Sequence, residues 1–383
     1  MRLHDSVSTD TTPDTPDRTL DRAPVEFGLD TFGDLGSTLD GVPVSYAQTI
    51  RDVVEQGVLA DRVGVDAFGV GEHHRDDFAV SSPEVVLAAI ASRTERIRLG
   101  TAVTVLSSDD PVRVFERFAT LNAVSGGRAE IILGRGSFTE SFPLFGFDLH
   151  DYEVLFEEKL DLLHALLAEG PVTWQGTTRA ALTDQHVYPK TEGGLHVSVG
   201  VGGSPESVVR AARYGFPLTL AIIGGEPARF APYVELFHRA LAQMGAPDLP
   251  VAVHSPGFVA ETDAEAMDRY WPHHKVMHDR IGRERGWPAM TREQFEHEVA
   301  HGALHLGSPE TVAQKIARTV STLGIQRIDL KYSSGPLPHE HQMRAIELYG
   351  EVVIPRVREL LAASDAAAGS SVGDTQAAAE GDA

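Results

Sequence analysis

The chain has 383 residues and 42% hydrophobic content, which is enough for one large hydrophobic core. Its formal net charge of -22 disfavours binding to nucleic acid or to an anionic membrane surface. The lack of cysteine excludes disulfides, thiolate metal ligands and a cysteine nucleophile. No apolar run resembles a signal peptide or a membrane span, so we expect a cytoplasmic protein.

Both ends of the chain have the composition of disordered segments. Residues 1–23 are rich in Asp, Thr, Pro and Arg, and residues 363–383 are rich in Ala, Gly, Ser and acidic residues. We therefore predict one folded domain over residues 24–362, with a disordered tail on each side.

Strand-like apolar runs alternate with helical segments along this domain. Strands are predicted over 25–30, 66–71, 97–105, 129–134, 195–201, 216–223, 250–260 and 327–332. Helices are predicted over 45–63, 83–92, 111–124, 152–168, 204–214, 228–244, 311–323 and 340–361, and segments 170–190 and 263–305 are interpreted as insertions. Eight such units predict an α/β fold, a TIM (β/α)8 barrel with insertions on its C-terminal rim.

Several helices begin with a capping residue followed by proline. Ser-Pro-Glu occurs at Ser82, Ser204 and Ser308, and Asp110 precedes Pro111. In this pattern the first side chain caps the helix and proline is already set to the helical φ, so these positions predict helix starts.

Reactive residues follow three of the predicted strands. These are Glu72-His73-His74, Thr101-Ala102-Val103-Thr104 and Gly134-Arg135-Gly136. The loops that follow the strands of a parallel barrel converge on one rim, so this layout predicts an active site at the barrel mouth. Histidine titrates near neutral pH, which favours His73 and His74 as proton donors or acceptors.

Two segments could bind an anionic group. Arg135 stands between glycines just after a strand, although an arginine there could equally form a surface ion pair. The turn containing Gly202, Gly203, Ser204 and Ser207 leads into a helix N-terminus, although it could be an ordinary tight loop. It is not a dinucleotide fingerprint, because Pro205 stands where that motif requires glycine. Together the two segments predict a phosphate site.

The order and spacing of these motifs resemble the bacterial luciferase-like flavin-dependent monooxygenases. The resemblance runs through the segments 72–74, 100–103, 110–113, 125–128, 134–136, 145–146, the turn ending in Ser204, and 307–310. It covers roughly residues 24–360 and implies an oxidoreductase that uses reduced FMN and O2 on a small organic substrate, acting on paired donors with incorporation of oxygen.

The resemblance also implies roles for individual residues. Arg135, Ser204 and Ser207, with Gly202 and Gly203 in the same turn, match phosphate ligands of FMN. Glu72, Ala102 and Val103 match residues against the isoalloxazine ring, often with a cis peptide between the last two. His73 matches a histidine implicated in proton transfer, and His74 is the next candidate; no metal is expected.

Other implications concern partners and differences from the family. A separate NAD(P)H:flavin reductase could provide the reduced FMN, or nicotinamide could be oxidised on this chain, and a homodimer is expected. Gly134 replaces a cysteine of the luciferase catalytic subunit and the insertion at 263–305 differs, so light emission is not expected.

Three alternatives stay open at this point. A deazaflavin coenzyme could replace FMN in the same fold, or the barrel could bind flavin without turnover. His297-Glu298-x-x-His301 matches the zinc metallopeptidase motif, although the extended form of that motif fails at Leu304. We interpret His273, His274 and His278 as part of a solvated face.

Overall fold

The computed structural model describes residues 24–380, with side chains described for residues 24–367. The predicted N-terminal tail lies outside the described residues. The strands are β1 (Glu26–Thr31), β2 (Ala67–Val70), β3 (Arg98–Thr101), β4 (Thr104–Val105), β5 (Glu130–Gly134), β6 (Val172–Trp174), β7 (Leu182–Gln185), β8 (His196–Val201), β9 (Leu218–Ala221), β10 (Val251–Val259), β11 (His305–Gly307) and β12 (Arg327–Lys331).

The main sheet forms a parallel barrel. Within the described residues its strand order is β3-β2-β1-β12-β10-β9-β8-β5-β4, and a parallel bridge between Leu99 and Ala129 joins the two edges. β3 and β4 belong to one predicted strand, which is interrupted at Ala102 and Val103. Counting this pair once leaves eight strand positions in the order, so the predicted TIM barrel is confirmed.

Helices surround the barrel. They are α1 (Tyr46–Arg62), α2 (Pro83–Ala91), α3 (Pro111–Ser125), α4 (Ser141–Phe145), α5 (Tyr152–Leu167), α6 (Pro205–Arg213), α7 (Ala231–Met244), α8 (Asp263–Arg285), α9 (Arg292–Ala300), α10 (Pro309–Leu323), α11 (His339–Leu348) and α12 (Ile354–Glu380). In α10, for example, Val312, Ile316 and Val320 are buried at helical spacing against the sheet. In the described part of the chain, no helix combines the length and apolar character needed to cross a membrane.

Helix α12 extends beyond the predicted domain boundary. It continues to Glu380 and so includes most of the segment 363–383. Disorder of that segment therefore stays a prediction, and the described backbone there is helical.

The predicted helix caps hold at most positions. Asp110 accepts hydrogen bonds from the backbone N–H groups of Val112 and Arg113, and Ser204 and Ser308 each accept one from the residue three positions later. Ser82 makes no such bond, because its backbone has φ -139° and ψ 74°. The predicted side-chain cap at Ser82 is therefore wrong, although α2 begins at Pro83 as expected.

Carboxylates fill the barrel interior beside strand glycines. The pairs are Gly28 with Asp329, Gly69 with Asp30, and Gly100 with Glu130. A Cβ atom on Gly28 or Gly69 would lie 1.7 or 1.9 Å from the facing carboxylate oxygen, so neither position has space for one. Burial raises the pKa of Asp329 to about 7, and the charge of Asp30 acts in the same direction.

The two insertions are ordered. Segment 170–190 contains the antiparallel pair β6 and β7. Segment 263–305 forms α8, α9 and the start of β11, which pairs with β10. Its apolar residues make a second core around Tyr270, Phe295 and Leu304. The end of α8 contacts the loop after β2, where Glu284 accepts hydrogen bonds of 2.6 and 2.7 Å from Arg75. The insertion therefore covers part of the barrel mouth.

Candidate active site

Glu72 connects the loop after β2 to β4. Its Oε1 atom lies 2.9 Å from Nε2 of His74, and its Oε2 atom accepts a hydrogen bond of 3.1 Å from the backbone N–H of Val105. The side chains of Glu72 and His74 are about nine-tenths buried, at 10% and 9% exposure. This carboxylate therefore fixes His74 and the segment that contains Ala102 and Val103 relative to each other.

His73 lies among aromatic rings at the same rim. Its ring centroid is 4.3 Å from that of Phe78 and 4.9 Å from those of Phe32 and Phe138. Its Nδ1 atom is 3.8 Å from Oε1 of Glu140. Burial alone would raise the pKa of Glu140, but the contact with His73 and a backbone N–H hold that pKa below its usual value. His73 therefore has an ionised carboxylate as its neighbour and little contact with water.

Ala102 and Val103 lie between two strand-end glycines. The peptide bond that joins them is cis. A Cβ on Gly71 would lie 2.9 Å from the carbonyl oxygen of Ala102, and a Cβ on Gly134 would lie 2.2 Å from Cγ2 of Val103. The two glycines thus provide the space into which this segment projects.

Arg135 and the glycine turn lie on one side of the rim. Arg135 donates a hydrogen bond to Glu153, and its guanidinium lies 5.3 Å from the ring centre of Tyr152. The Ser204 hydroxyl donates to Glu206 at 2.7 Å. This hydrogen bond lowers the pKa of Glu206, and a hydrogen bond from a backbone N–H and the smaller effects of the Arg135 and Arg210 charges act in the same direction. The structure thus brings together the two segments predicted to bind phosphate.

The sequence reasoning missed Arg210 at this location. Its Nη1 atom lies 3.5 Å from Oγ of Ser207 and its Nη2 atom lies 3.2 Å from Oε2 of Glu153. Arg210 follows Ser207 by three residues on α6, so helical spacing could have placed it on the same face. Glu153 therefore accepts hydrogen bonds from two guanidinium groups, while 63% of its own side chain is exposed.

The backbone of the turn is open around its glycines. Gly203 has a φ of 108°, a conformation that L side chains rarely adopt. A Cβ on Gly202 would contact nothing within 4 Å. An anionic group could therefore approach the backbone N–H groups of this turn.

The sequence patterns also did not predict the pairing of Asp30 with His254 inside the barrel. Nδ1 of His254 is 2.6 Å from Oδ2 of Asp30. The His254 ring stacks on Phe32 with an interplanar angle of 7° and a centroid distance of 5.9 Å. Strand alternation alone could have suggested that Asp30 and His254 face the interior, but it could not have paired them.

Comparison with known proteins assigns the family. The sequence model of the luciferase-like monooxygenases matches residues 29–327. The chain belongs to this family.

Relatives in the family have several substrates in their names. Limonene 1,2-monooxygenase of Rhodococcus erythropolis is 29% identical over 64% of this chain and 57% of its own length. The 4-hydroxyprotoasukamycin monooxygenase of Streptomyces nodosus subsp. asukaensis is 35% identical over 42% of this chain and 45% of its own. The chain thus spans about half the length of these two relatives.

Solved structures share the fold. A monooxygenase from Streptomyces bottropensis has a TM-score of 0.74 and 23% identity, with 86% of this chain and 99% of that chain covered. The oxygenating constituent of 3,6-diketocamphane monooxygenase from Pseudomonas putida, in complex with FMN, has a TM-score of 0.69 and 20% identity, with 88% and 99% covered. An F420-dependent secondary alcohol dehydrogenase has a TM-score of 0.69, 18% identity, and 88% and 99% covered.

One histidine prediction is wrong within this family fold. His274 does not belong to a solvated face, because its ring stacks on Tyr270 with a centroid distance of 5.2 Å and its Nδ1 atom lies 3.3 Å from Oγ of Ser334. Burial lowers the pKa of His274 to about 3, so the ring is neutral at physiological pH.

The zinc motif gains no support from the geometry. The rings of His297 and His301 are 5.0 Å apart, and α9 ends at Ala300. Glu298 accepts a hydrogen bond of 3.1 Å from the backbone N–H of Gly225. Among residues with described side chains, no group of three or more His, Cys, Asp or Glu is placed to hold a metal ion. The motif instead lines an outer cavity of about 580 Å³ that also contains Lys315 and Arg318.

Proposed function

We propose that the protein is a flavin-dependent monooxygenase that uses reduced FMN and O2 to oxidise a small organic substrate. The observation that carries the proposal is the convergence of Arg135, Arg210 and the Ser204 turn at one rim of the barrel. The monooxygenase names of the relatives and the FMN complex of the Pseudomonas putida protein support it.

The chemistry of these residues fits FMN. Arg135 and Arg210 would bind the phosphate, with the hydroxyls of Ser204 and Ser207 and the backbone N–H groups of Gly202 and Gly203. Glu153 accepts hydrogen bonds from both guanidiniums, and this supports the proposal that one anionic group binds to both. Because Glu153 is exposed, it can move aside when phosphate binds. Glu72 and the Ala102-Val103 segment would lie against the isoalloxazine ring.

Proton transfer is the proposed task of His73. When bound, the reduced flavin supplies the electrons and the reaction with oxygen. Since Nδ1 of His73 faces Glu140, Nε2 is the ring nitrogen that would donate or accept a proton. Phe32, Phe78 and Phe138 exclude water around this imidazole. His74 is held by Glu72 and would act through the position of that carboxylate.

The remaining parts of the proposal concern partners. A separate NAD(P)H:flavin reductase would provide the reduced FMN, and the enzyme would act as a homodimer on paired donors, with one oxygen atom incorporated into the substrate. A deazaflavin remains the second candidate coenzyme, because F420-dependent enzymes have the same barrel.

An anaerobic binding titration tests the proposal. Reduced FMN, oxidised FMN and the deazaflavin are each titrated against the purified protein, and oxygen is then admitted. We expect reduced FMN to bind and its reoxidation by oxygen to differ in rate from that of free FMN. If only the deazaflavin binds, the cofactor is the deazaflavin and not FMN. Binding without any change in the reaction with oxygen would favour a non-catalytic flavin-binding protein. Stoichiometric zinc without flavin binding would favour the peptidase alternative.

A further inference from the structure

Asp30 and His254 form a hydrogen-bonded pair inside the barrel. Asp30 is at the end of β1 and is 1% exposed, and His254 projects from the middle of β10 with 12% of its side chain exposed. The Nδ1 to Oδ2 distance is 2.6 Å, so Asp30 holds the imidazole with Nδ1 towards the carboxylate. Among the residues with described side chains, Oδ1 of Asp30 is buried without a hydrogen-bond partner.

Asp30 and the nearby Phe32 lie close to the segment expected to contact the flavin ring. A Cβ atom on Gly69 would lie 1.9 Å from Oδ1 of Asp30 and 3.2 Å from Cβ of Ala102. A Cβ atom on Gly71 would lie 2.5 Å from the Phe32 ring and 2.9 Å from the carbonyl oxygen of Ala102. The space between Asp30 and Ala102, and between Phe32 and Ala102, is therefore about that of one Cβ atom.

Phe32 connects the pair to His73. The ring centroid of His73 lies 4.9 Å from that of Phe32, and the ring centroid of His254 lies 5.9 Å from that of Phe32. Phe32 thus contacts two imidazoles, and of these two only His254 has a carboxylate within direct hydrogen-bond distance.

We propose that His254, oriented by Asp30, is a second acid–base group of this active site, which transfers protons from the barrel floor while His73 acts at the rim. The proposal rests on the proposed function and adds residues to it. Asp30 accepts a hydrogen bond from Nδ1–H, so Nε2 of the neutral ring is the atom that takes up and releases a proton. Asp30 is a positioning residue, because it acts through His254.

The proton that His254 would deliver can be identified for the simplest reaction, the reduction of O2 to H2O2. Without an organic substrate, a bound anionic reduced FMN would supply two electrons and one proton for the reduction of O2. One further proton must be delivered to give H2O2. We assign that delivery to Nε2 of protonated His254, which recovers its proton from solvent.

Charged groups face Asp30 and His254 from each element packed around them. These groups will therefore contribute, together with His254, to the pH dependence of the reaction. Lys331 is 4.7 Å from the ring centre of Phe32 and 3.0 Å from Asp34. Deeper in the barrel, Arg327 lies between Asp329 and Glu130 at 2.8 and 2.6 Å. The groups to consider are Asp329, Lys331 and Arg327 from β12, Asp34 from the loop after β1, Glu130 from β5 and His73 from the loop after β2.

The test compares His254→Asn and Asp30→Asn with His238→Asn. His238 forms a matched pair with Asp248, at 2.5 Å, on the outside of the barrel. The first readout is the reoxidation rate of enzyme-bound reduced FMN by dissolved O2, measured across a range of pH. We expect His254→Asn to slow this rate on the order of 100-fold and to change its pH profile. Asp30→Asn should act in the same direction by a smaller factor, and His238→Asn should match the parent.

The second readout needs no cofactor. Two-bond proton–nitrogen NMR correlation of the histidine rings reports which ring nitrogen carries the proton in the protein without flavin. We expect the His254 signals, assigned by their loss in His254→Asn, to show the Nδ1–H form. In Asp30→Asn the side-chain amide can donate to Nδ1, so the Nε2–H form should appear.

The outcomes separate this proposal from the function it rests on. If the parent does not bind reduced FMN, or if the bound flavin reacts as free flavin does, the proposed function fails and this proposal fails with it. If the parent alters the reaction but His254→Asn and His238→Asn behave alike, only the role of His254 is refuted. An unchanged tautomer in Asp30→Asn would overturn the positioning role of Asp30.

Discussion

Nη2 of Arg210 lies 3.2 Å from Oε2 of Glu153, the same carboxylate that accepts a hydrogen bond from Arg135. If these arginines bind phosphate, Glu153 competes with it for the same donors. Glu153→Gln should therefore strengthen FMN binding by about 1.4- to 5-fold, the range given by exposed ion pairs of ~0.2 to 1 kcal/mol. Glu359→Gln is the control, because Glu359 is equally exposed, at 67%, and pairs with Arg356 far from the turn. Weaker FMN binding in Glu153→Gln would contradict the model of competition.

Arg135→Ala should discriminate between FMN and riboflavin. A charge-assisted hydrogen bond contributes ~1.5 to 3 kcal/mol, so FMN binding should weaken by about 10- to 150-fold. Riboflavin has no phosphate, and its affinity should change little. Arg210→Ala should behave in the same way, and Ser204→Ala should have a smaller effect because its hydroxyl is neutral. Equal losses for FMN and riboflavin would refute a phosphate contact for Arg135.

His73→Ala should still bind reduced flavin but lose most oxygenation. The variant removes a proton-transfer group and no phosphate contact, and such groups contribute about 100- to 10,000-fold. The measurement is product formed per reduced flavin oxidised in stopped flow. His150→Ala is the control, because His150 is 94% exposed. A His73→Ala variant that couples oxygen to product as well as the parent would make His73 structural and leave His74 as the next candidate.

Glu72→Ala should destabilise the protein by about 1 to 3 kcal/mol, because it leaves the backbone N–H of Val105 without its partner and breaks the bond to His74. Glu72→Gln should cost less, since an amide oxygen can accept one of the two hydrogen bonds. Urea unfolding of both variants provides the measurement. Equal stability of Glu72→Ala and the parent would show that Glu72 does not hold this segment.

The protein should lose stability as the pH falls below neutral. Burial lowers the pKa of His274 and of His305 to about 3, whereas a histidine in the unfolded chain titrates near 6.5. Between these values the unfolded chain binds a proton at each position and the folded protein does not. Each histidine therefore removes up to ~1.4 kcal/mol of stability per pH unit of acidification.

His274→Gln should reduce this dependence, because glutamine does not titrate. Urea midpoints at about pH 7 and about pH 5 provide the measurement. His186→Gln, which changes an exposed histidine, is the control. A parent that is equally stable at both pH values would show that these rings are not held neutral.

The barrel could be predicted because buried strands and their helices carry strong local patterns. β2, β5 and α3 lie within one or two residues of their predicted bounds, since continuous apolar runs and a proline after a cap define them locally. The residue pattern alone does not predict the interruption between β3 and β4, because Ala102 and Val103 are as apolar as the strand around them. Only the resemblance to the luciferase-like family, which implies a cis peptide between these two residues, points to it.

The missed contacts join residues that are distant in sequence. Asp30 and His254 are 224 positions apart, and Glu153 and Arg210 are 57 apart, so no local pattern could pair them. The fold of the insertion at 263–305 cannot be predicted for a related reason. Its polar composition concealed the second core around Tyr270 and Phe295, and α8 continues through Pro272, a residue that normally ends a helix.

The glycine and carboxylate pairs of the barrel interior predict how related sequences can diverge. Asp329 occupies the space that a side chain at Gly28 would need, and Asp30 does the same at Gly69. A substitution of either glycine becomes tolerable only after its acid has become a shorter residue, whereas loss of the acid alone leaves room for a later replacement of the glycine. Homologues should therefore show covariation between the glycine and the acidic residue at each of these pairs of positions.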